Sequence, residues 1–155
     1  MNQKFRKLVE DLEPAFQALV QKRPVTSAAL PRDLLKRGVY LFSEAGKHLY
    51  VGRTDNLRRR IQDHSRESSN HNKATFAFRI ARRETGRTQA SYSTPGSRGE
   101  LETDPVFGPA FGRANARIRS MELRFVEEGD PTRQALLEIY AVTVLETPFN
   151  DFENH

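Results

Sequence analysis

Two tyrosines that lie ten residues apart, Tyr40 and Tyr50, have the sequence setting in this chain that most suggests chemistry. Gly38 stands two residues before the first tyrosine, and Gly52 stands two residues after the second. A phenol both donates and accepts hydrogen bonds, and a positioned phenol can carry a proton to or from a reacting group. Because the neighbouring glycines leave space beside the phenols, the pattern predicts a small polar site.

The segment around the tyrosines predicts a β-hairpin. Apolar residues alternate over residues 38–43 and 47–53, as they do in strands with one buried face. Between them Glu44-Ala45-Gly46 suits a three-residue loop whose glycine takes the left-handed position. That loop places Tyr40 directly opposite Tyr50, so both rings stand on one face of the sheet. The opposite face is expected to contact the core through Val39, Leu41, Leu49 and Val51.

The charge of the chain is unevenly distributed. Its 155 residues suit one domain with a single core, and they carry a net charge of +5. From Gly52 to Arg87 there are ten basic residues against four acidic ones, so the rest of the chain is close to neutral. Such a basic segment favours a polyanionic partner, and nucleic acid is the class we expect. A solvated, arginine-rich helix surface is the alternative interpretation.

The composition excludes several classes of site. The chain has no cysteine, which excludes disulfides, thiolate zinc sites and thiol nucleophiles and is typical of a reducing compartment. No apolar stretch reaches membrane-spanning length, and the first residues lack the apolar core of a signal peptide. We therefore expect a soluble, cytoplasmic protein without a membrane partner.

The segments on either side of the hairpin are predicted to be helical. Apolar residues at helical spacing predict one kinked or two short helices over residues 3–22, broken at Pro14, with the apolar stripe covering the core. After the hairpin, Thr54 or Asp55 is expected to cap a helix over residues 56–67.

The second half of the chain is less regular. A helix is predicted over residues 73–84, although the apolar pattern also permits a strand. Residues 85–116 are rich in Gly, Ser, Thr and Pro, which predicts a long loop or a partly disordered insertion. Alternation over residues 118–128 predicts a third strand. Asp130-Pro131 then predicts the start of a final helix that runs to about Leu145.

Arg60 and His64 lie one turn apart on the predicted basic helix, beside an apolar stripe that is expected to face the core through Leu57 and Ile61. A guanidinium and an imidazole in this arrangement suit the binding and polarisation of a phosphate. The alternatives are a surface ion pair for Arg60 and a partly buried helix histidine for His64.

Glu138 is the single charge in the apolar segment Leu136 to Leu145, which is expected to be buried on all sides. A buried carboxylate needs a cation or hydrogen-bond donors, and a carboxylate together with phosphate oxygens suits Mg²⁺. The alternative is a buried ion pair with Arg60 or another arginine. Asn150, which follows Pro148-Phe149, also fits a simple turn.

Together these residues resemble the GIY-YIG nuclease superfamily, and most closely its small stand-alone bacterial-type members. The resemblance is close over residues 37–64 and looser over residues 118–150. Five elements occur in the order of the family: Gly38-Val39-Tyr40, Tyr50-Val51-Gly52, Asn56-Leu57 leading to Arg60 and His64, Glu138 in the run ALLE, and Asn150 in the run PFN.

The resemblance implies an α+β fold with a small central antiparallel sheet of three strands flanked by helices. We expect one GIY-YIG-like domain over residues 1–155. Residues 1–36 are expected to add an N-terminal helical extension to a nuclease core over residues 37–150, and the core contains the flexible insertion at about 85–116.

The resemblance also implies a metal-dependent nuclease site. In that site Glu138 holds Mg²⁺ or Mn²⁺, Arg60 stabilises the charge that builds up at phosphorus, and Tyr40 relays a proton from the attacking water. Tyr50 or His64 orients this proton transfer, and a tyrosine that orients the water without acting as its base is the open alternative. The residues assigned to substrate binding are Gly52, Arg53, Arg58, Arg59 and Asn150.

Two functions follow from the resemblance. The first is an endonuclease that hydrolyses phosphodiester bonds of nucleic acid, with DNA favoured over RNA. The second is a nucleic-acid-binding module that has the same fold and little or no cleavage activity.

Overall fold

The computed structural model describes residues 1–34, 36–66, 74–86 and 104–152. The chain divides into two compact units, unit 1 with Met1–Arg59 and Met121–His155 and unit 2 with Arg60–Ser120. Unit 1 contains helices α1 (Gln3–Glu10) and α2 (Leu12–Gln21), a 3₁₀ turn (Ser27–Ala29), and strands β1 (Gly38–Glu44) and β2 (Lys47–Thr54). Helix α3 (Leu57–Ser65) runs from unit 1 into unit 2, which contains α4 (Thr75–Thr85) and α5 (Phe107–Arg119). The chain returns to unit 1 with strand β3 (Glu122–Glu127) and helix α6 (Pro131–Leu145).

The three strands form one antiparallel sheet in the order β2-β1-β3. Helices flank this sheet and a helical segment precedes it, which confirms the predicted α+β fold. At the start of the central strand, a Cβ atom on Gly38 would overlap the carbonyl oxygen of Val126 on β3. The first glycine of the motif therefore allows β3 to pair closely with β1.

The register of the hairpin differs from the prediction. Tyr40 pairs with Gly52, and Tyr50 pairs with Phe42, so the two tyrosines are diagonal neighbours and not directly opposed. The connecting turn has two residues, Ala45-Gly46, and both have positive φ values, 50° and 76°. Two consecutive residues with positive φ are typical of the tight hairpin turn whose twist matches that of the strands. A bulge then shifts the register between Phe42 and Ser43.

Helices α2 and α6 supply the core that packs on one face of the sheet. The sheet contributes Val39, Leu41 and Val51 to this core, as the alternation predicts. Leu49 is buried but is not part of this cluster. It is the extra residue of the bulge, since its neighbours Tyr50 and His48 pair with Phe42 and Ser43 and leave Leu49 without a partner in β1. The helices contribute Leu12, Phe16, Leu19, Leu137, Ala141 and Val142.

The N-terminal segment forms two helices, and the break lies at Asp11 and not at Pro14. Pro14 occupies the first turn of α2, where a missing N–H costs no helical hydrogen bond. Only α2 contributes to the core. No residue of α1 is buried, and Phe5 and Val9 remain 46% and 39% exposed. Of the apolar stripe predicted over residues 3–22, only the part in α2 therefore covers the core.

Helices α3 and α6, which carry candidate site residues, both begin at a residue whose side chain caps the helix. Asn56, and neither Thr54 nor Asp55, caps α3: its Oδ1 accepts a 3.0 Å hydrogen bond from the backbone N–H of Arg59. For α6 the predicted cap is confirmed, since Asp130 accepts from the N–H of Arg133 at 2.8 Å. Helix α6 is not buried on all sides as predicted, because its outer surface leaves two apolar side chains about half exposed, Ile139 and Val144.

In unit 2, helices α4 and α5 pack through aromatic rings. The Phe78 and Phe107 ring centroids are 5.0 Å apart, and Phe107 stacks on Phe111. The helical interpretation of residues 73–84 is thus favoured over the strand. The predicted loop over residues 85–116 is wrong for its last ten residues, which belong to α5, while residues 87–103 lie outside the described residues. The predicted third strand likewise begins later, at Glu122.

Across the described part of the chain, no helix has the length and apolar character needed to cross a membrane.

Candidate active site

The two tyrosine rings lie side by side on the face of the sheet opposite α6. The centroids of Tyr40 and Tyr50 are 6.4 Å apart, and the ring of Phe42 meets Tyr40 edge-on at 5.9 Å. Both tyrosines are nearly buried, at 1% and 7% exposure. Their rings are therefore held by packing, which fixes the direction of each hydroxyl.

Gly52 determines where the Tyr40 hydroxyl lies. A Cβ atom at this position would overlap the hydroxyl oxygen of Tyr40 and two carbons of its ring, all at less than 3.0 Å. The ring of Tyr40 thus crosses from β1 onto β2 and fills the space that the missing side chain leaves. The space beside the tyrosines that the sequence suggested for a ligand is, at Gly52, occupied by Tyr40.

Glu138 meets an arginine. The Nε of Arg53 donates a 2.8 Å hydrogen bond to Oε2 of Glu138, and the two side chains are 49% and 20% exposed. The structural alternative predicted a buried ion pair with Arg60 or another arginine; the pair found here is with Arg53, and it is partly exposed. Arg53 lies two residues after Val51 on the same strand, so its side chain is on the same face of the sheet. That face packs against α6 and is opposite to the tyrosine rings.

Gln134 is a residue that the sequence analysis missed. It lies one helical turn before Glu138 and is buried, and its Nε2 donates to the carbonyl oxygens of Gly38 at 2.9 Å and Thr54 at 2.6 Å. These two hydrogen bonds tie α6 to the start of β1 and the end of β2, which places Glu138 beside Arg53. The available signal was the four-residue spacing of two polar side chains, Gln134 and Glu138, on either side of the apolar run Ala135-Leu136-Leu137.

Asn150 extends the free edge of β2. Its Oδ1 accepts from the N–H of Val51 at 2.9 Å, and its Nδ2 donates to the carbonyl oxygen of the same residue at 2.7 Å. The Thr147 hydroxyl donates to the same Oδ1 at 2.8 Å. The side chain therefore does more than complete a turn, since it supports the strand that carries Tyr50 and Arg53.

Three consecutive β2 residues collect the candidate groups of unit 1. Val51 binds Asn150, Gly52 receives the ring of Tyr40, and Arg53 binds Glu138. The sequence predicted one cleft for all the catalytic side chains. In unit 1 the tyrosine rings and α6 lie on opposite faces of the sheet, and each of the two sets of groups contacts β2, an edge strand, from its own face.

In unit 2, Arg60 and His64 project from α3 toward α4. Arg60 Nη2 donates a 3.4 Å hydrogen bond to the Thr75 hydroxyl, and the ring of His64 meets Phe76 edge-on with centroids 6.5 Å apart. Burial, followed by the positive charges of Arg60 and Arg79, holds the pKa of His64 well below its usual value. His64 is therefore a neutral imidazole near neutral pH, and as such it can orient a group but does not add positive charge.

Arg79 is a second residue that the sequence did not single out. It lies on α4 one turn after Thr75, and its charge acts on the same imidazole as that of Arg60. The two arginines thus concentrate positive charge around His64 in unit 2.

Arg58 and Arg59 have different environments. The guanidinium of Arg58 donates to the carbonyl oxygen of Pro31 at 2.8 Å, so this side chain anchors the segment before β1. Arg59 is largely exposed and forms a loose ion pair with Asp55, at 3.7 Å.

The residues that could hold a metal are few. Within the described ranges no group of three or more histidine, aspartate or glutamate side chains could hold an ion. Mg²⁺ keeps most of its water molecules and is often bound by one or two carboxylates together with substrate phosphates. Glu138 fits such a site, because it supplies a carboxylate and its side chain is partly exposed, at 20%.

Comparison with known proteins gives one result. The family model of the GIY-YIG catalytic domain matches residues 36–94, which include both tyrosine triplets and the basic helix. Neither the curated proteins nor the solved structures give a significant match. The segment over residues 36–94 thus carries the GIY-YIG catalytic-domain pattern, and the three-stranded sheet is consistent with the GIY-YIG fold.

Proposed function

We propose that the chain is a divalent-metal-dependent endonuclease that hydrolyses phosphodiester bonds of nucleic acid, with DNA favoured over RNA. The observation that supports this most is that neighbouring residues of β2 contact three functional groups: Gly52 receives the Tyr40 phenol on one face of the sheet, and the Arg53 guanidinium binds the Glu138 carboxylate on the other. These are the groups that phosphodiester hydrolysis needs for proton transfer, metal binding and charge stabilisation.

Each residue has a distinct role in this proposal. Glu138 holds Mg²⁺ or Mn²⁺, and the bound ion supplies Lewis acidity and lowers the pKa of a bound water. Tyr40, whose hydroxyl is fixed over Gly52, orients the attacking water or relays its proton, and Tyr50 supports the ring through packing. Arg60 stabilises the charge that builds up on the phosphate, while the neutral His64 helps to orient the group that Arg60 binds.

The proposed partner is the phosphate backbone. The side chains of Arg53 and Arg59 are 49% and 69% exposed and can exchange their present carboxylate partners for phosphates. Exposed ion pairs of this kind are worth about 0–1 kcal/mol, so the exchange costs little. Arg58 contributes chiefly by holding the start of the hairpin through Pro31.

The test is cleavage of plasmid and branched DNA with Mg²⁺, Mn²⁺ or EDTA. Glu138→Ala is expected to abolish metal-dependent cleavage while nucleic-acid affinity changes by less than a few-fold. Arg60→Ala is expected to lower the rate by about 10²-fold, as the loss of a preorganised charge does. The control is Glu127→Ala, which removes an exposed carboxylate on β3 that pairs with Lys36 and is expected to leave cleavage unchanged. Cleavage that survives Glu138→Ala undiminished would contradict the proposal.

A nucleic-acid-binding module without cleavage is the second candidate. It is favoured by two features: the tyrosine rings are nearly buried, and the carboxylate of Glu138 is engaged with Arg53. This candidate predicts that the wild-type protein binds DNA and cuts no form of it with any metal. The same panel therefore separates the two functions.

A further inference from the structure

The ion pair between Arg53 and Glu138 joins a residue assigned to the substrate with the residue assigned to the metal. The hydrogen bond is 2.8 Å long and uses the Nε of Arg53, one of the donors with which a guanidinium makes a two-pronged contact to an oxyanion. A phosphodiester offers two oxygens to the same edge of the guanidinium. A two-pronged phosphate contact along the edge of the guanidinium that contains Nε and the present contact to Glu138 therefore compete for the same N–H.

Metal binding competes with the pair from the other side. A divalent cation on the Glu138 carboxylate places two positive charges close to the Arg53 guanidinium, and like charges at such distances repel. A bound metal therefore weakens the pair, and a side-on phosphate contact does so as well. Whichever ligand binds first loosens the pair, and the second ligand then binds without this cost.

We propose that Arg53 is a positioning residue that couples nucleic-acid binding to metal binding by releasing Glu138 when it moves to a phosphate. This inference rests on the proposed function and adds a role for Arg53 that substrate binding alone does not require. By linkage, the coupling is reciprocal, so the metal raises affinity for nucleic acid by the same factor. The pair is partly exposed, and we expect a factor of about five, because such pairs are worth at most about 1 kcal/mol and each 1.4 kcal/mol is tenfold.

The cost that the ion pair adds to metal binding, on which the coupling depends, can be measured without cleavage and without nucleic acid. Mn²⁺ is titrated into the protein and the free ion is followed by electron paramagnetic resonance, with Glu138→Gln defining binding elsewhere. Arg53→Gln is expected to bind Mn²⁺ about five-fold more tightly than the wild type, because the metal no longer competes with the Arg53 side chain for Glu138. Arg53→Lys keeps the charge without the forked donor edge, and its affinity is expected to lie between the two.

The control variant is Lys47→Gln, which removes one exposed positive charge from the same strand away from Glu138. It is expected to leave the Mn²⁺ affinity unchanged. An Arg53→Gln affinity equal to or weaker than that of the wild type overturns the coupling, as does equal tightening in Lys47→Gln. If Glu138→Gln binds Mn²⁺ as tightly as the wild type, the metal assignment in the proposed function fails as well. The two failures are therefore distinguishable.

Discussion

Replacing Gly52 with alanine tests whether the Tyr40 phenol is fixed as described. The new methyl group would lie within 3.0 Å of the hydroxyl oxygen and of two ring carbons, whereas ordinary contacts of a Cβ atom are 3.4–4 Å. The ring cannot swing aside freely, because it is buried and packs against Phe42 and Tyr50. We expect the hydroxyl to be displaced by about 1 Å.

The structural cost and the functional cost can both be estimated. Overpacking a well-packed core typically costs about 1–3 kcal/mol, and each kcal/mol lowers the melting temperature of a chain of this size by about 2–4 °C. A displacement of about 1 Å at a reacting group can lower the rate by about 10²-fold. Gly52→Ala should therefore be moderately destabilised and almost inactive at a temperature where it is still folded.

A double-mutant cycle assigns this cost to Tyr40. In a Tyr40→Phe background, Gly52→Ala should destabilise about as much as in the wild type, because the ring carbons that overlap the methyl group remain. In a Tyr40→Leu background most of the cost should disappear. The control is Gly112→Ala in α5, where a Cβ atom meets nothing within 4 Å, so the substitution should stabilise the helix by about 0.5–1 kcal/mol.

Thermal unfolding and cleavage assays measure these effects. The reasoning is refuted if Gly52→Ala melts and cleaves like the wild type. It is also refuted if the cost of Gly52→Ala is the same in the leucine background as in the wild type, because the overlap with the tyrosine ring would then not be its origin.

Three further predictions concern binding, pH and the strand edge. Arg59→Ala should weaken DNA binding and reduce by about one the slope of log affinity against log salt concentration, and an unchanged slope would contradict this. Arg58→Ala should mainly lower the melting temperature, because the Arg58 side chain anchors Pro31. Folding lowers the pKa of His64, so as the pH drops below about 6.5 the unfolded chain takes up the proton first and the free energy of unfolding should fall. Above that pH this group should not affect stability, and His64→Gln should weaken the pH dependence in denaturation curves. Asn150→Ala should cost about 1–3 kcal/mol through the loss of both hydrogen bonds to Val51, and an unchanged melting temperature would exclude that role.

The sequence predicted the elements that depend on local patterns. The capped start of α6, the helix over residues 73–84 and the two strands follow from periodicity and from cap residues near in sequence. Helix α5 was missed although its buried side has helical spacing, because Gly108, Pro109 and Gly112 lower the helical propensity of the segment. The helix is stabilised by packing against α4, and the local sequence of α5 does not reveal that contact.

The sequence did not predict the contacts between residues that are far apart along the chain. That Glu138 requires a cation or donors followed from its place in an apolar helix, but the identity of Arg53 as the partner depends on how α6 crosses β2. Gln134 and Asn150 likewise bind backbone groups 80 or more residues away. Local spacing gives the list of polar groups that need partners, and only the fold gives the pairs.

The hairpin shows why a wrong register still placed the tyrosines correctly. The predicted three-residue loop puts Tyr40 opposite Tyr50, and the two-residue turn found here shifts that pairing by one residue. A shift of one residue alone turns every side chain of a strand to the other face. The bulge at Phe42 adds a second residue, so Tyr40 pairs with Gly52 and both rings remain on one face. Turn and bulge must therefore occur together, because either one alone would place Tyr50 on the α6 side.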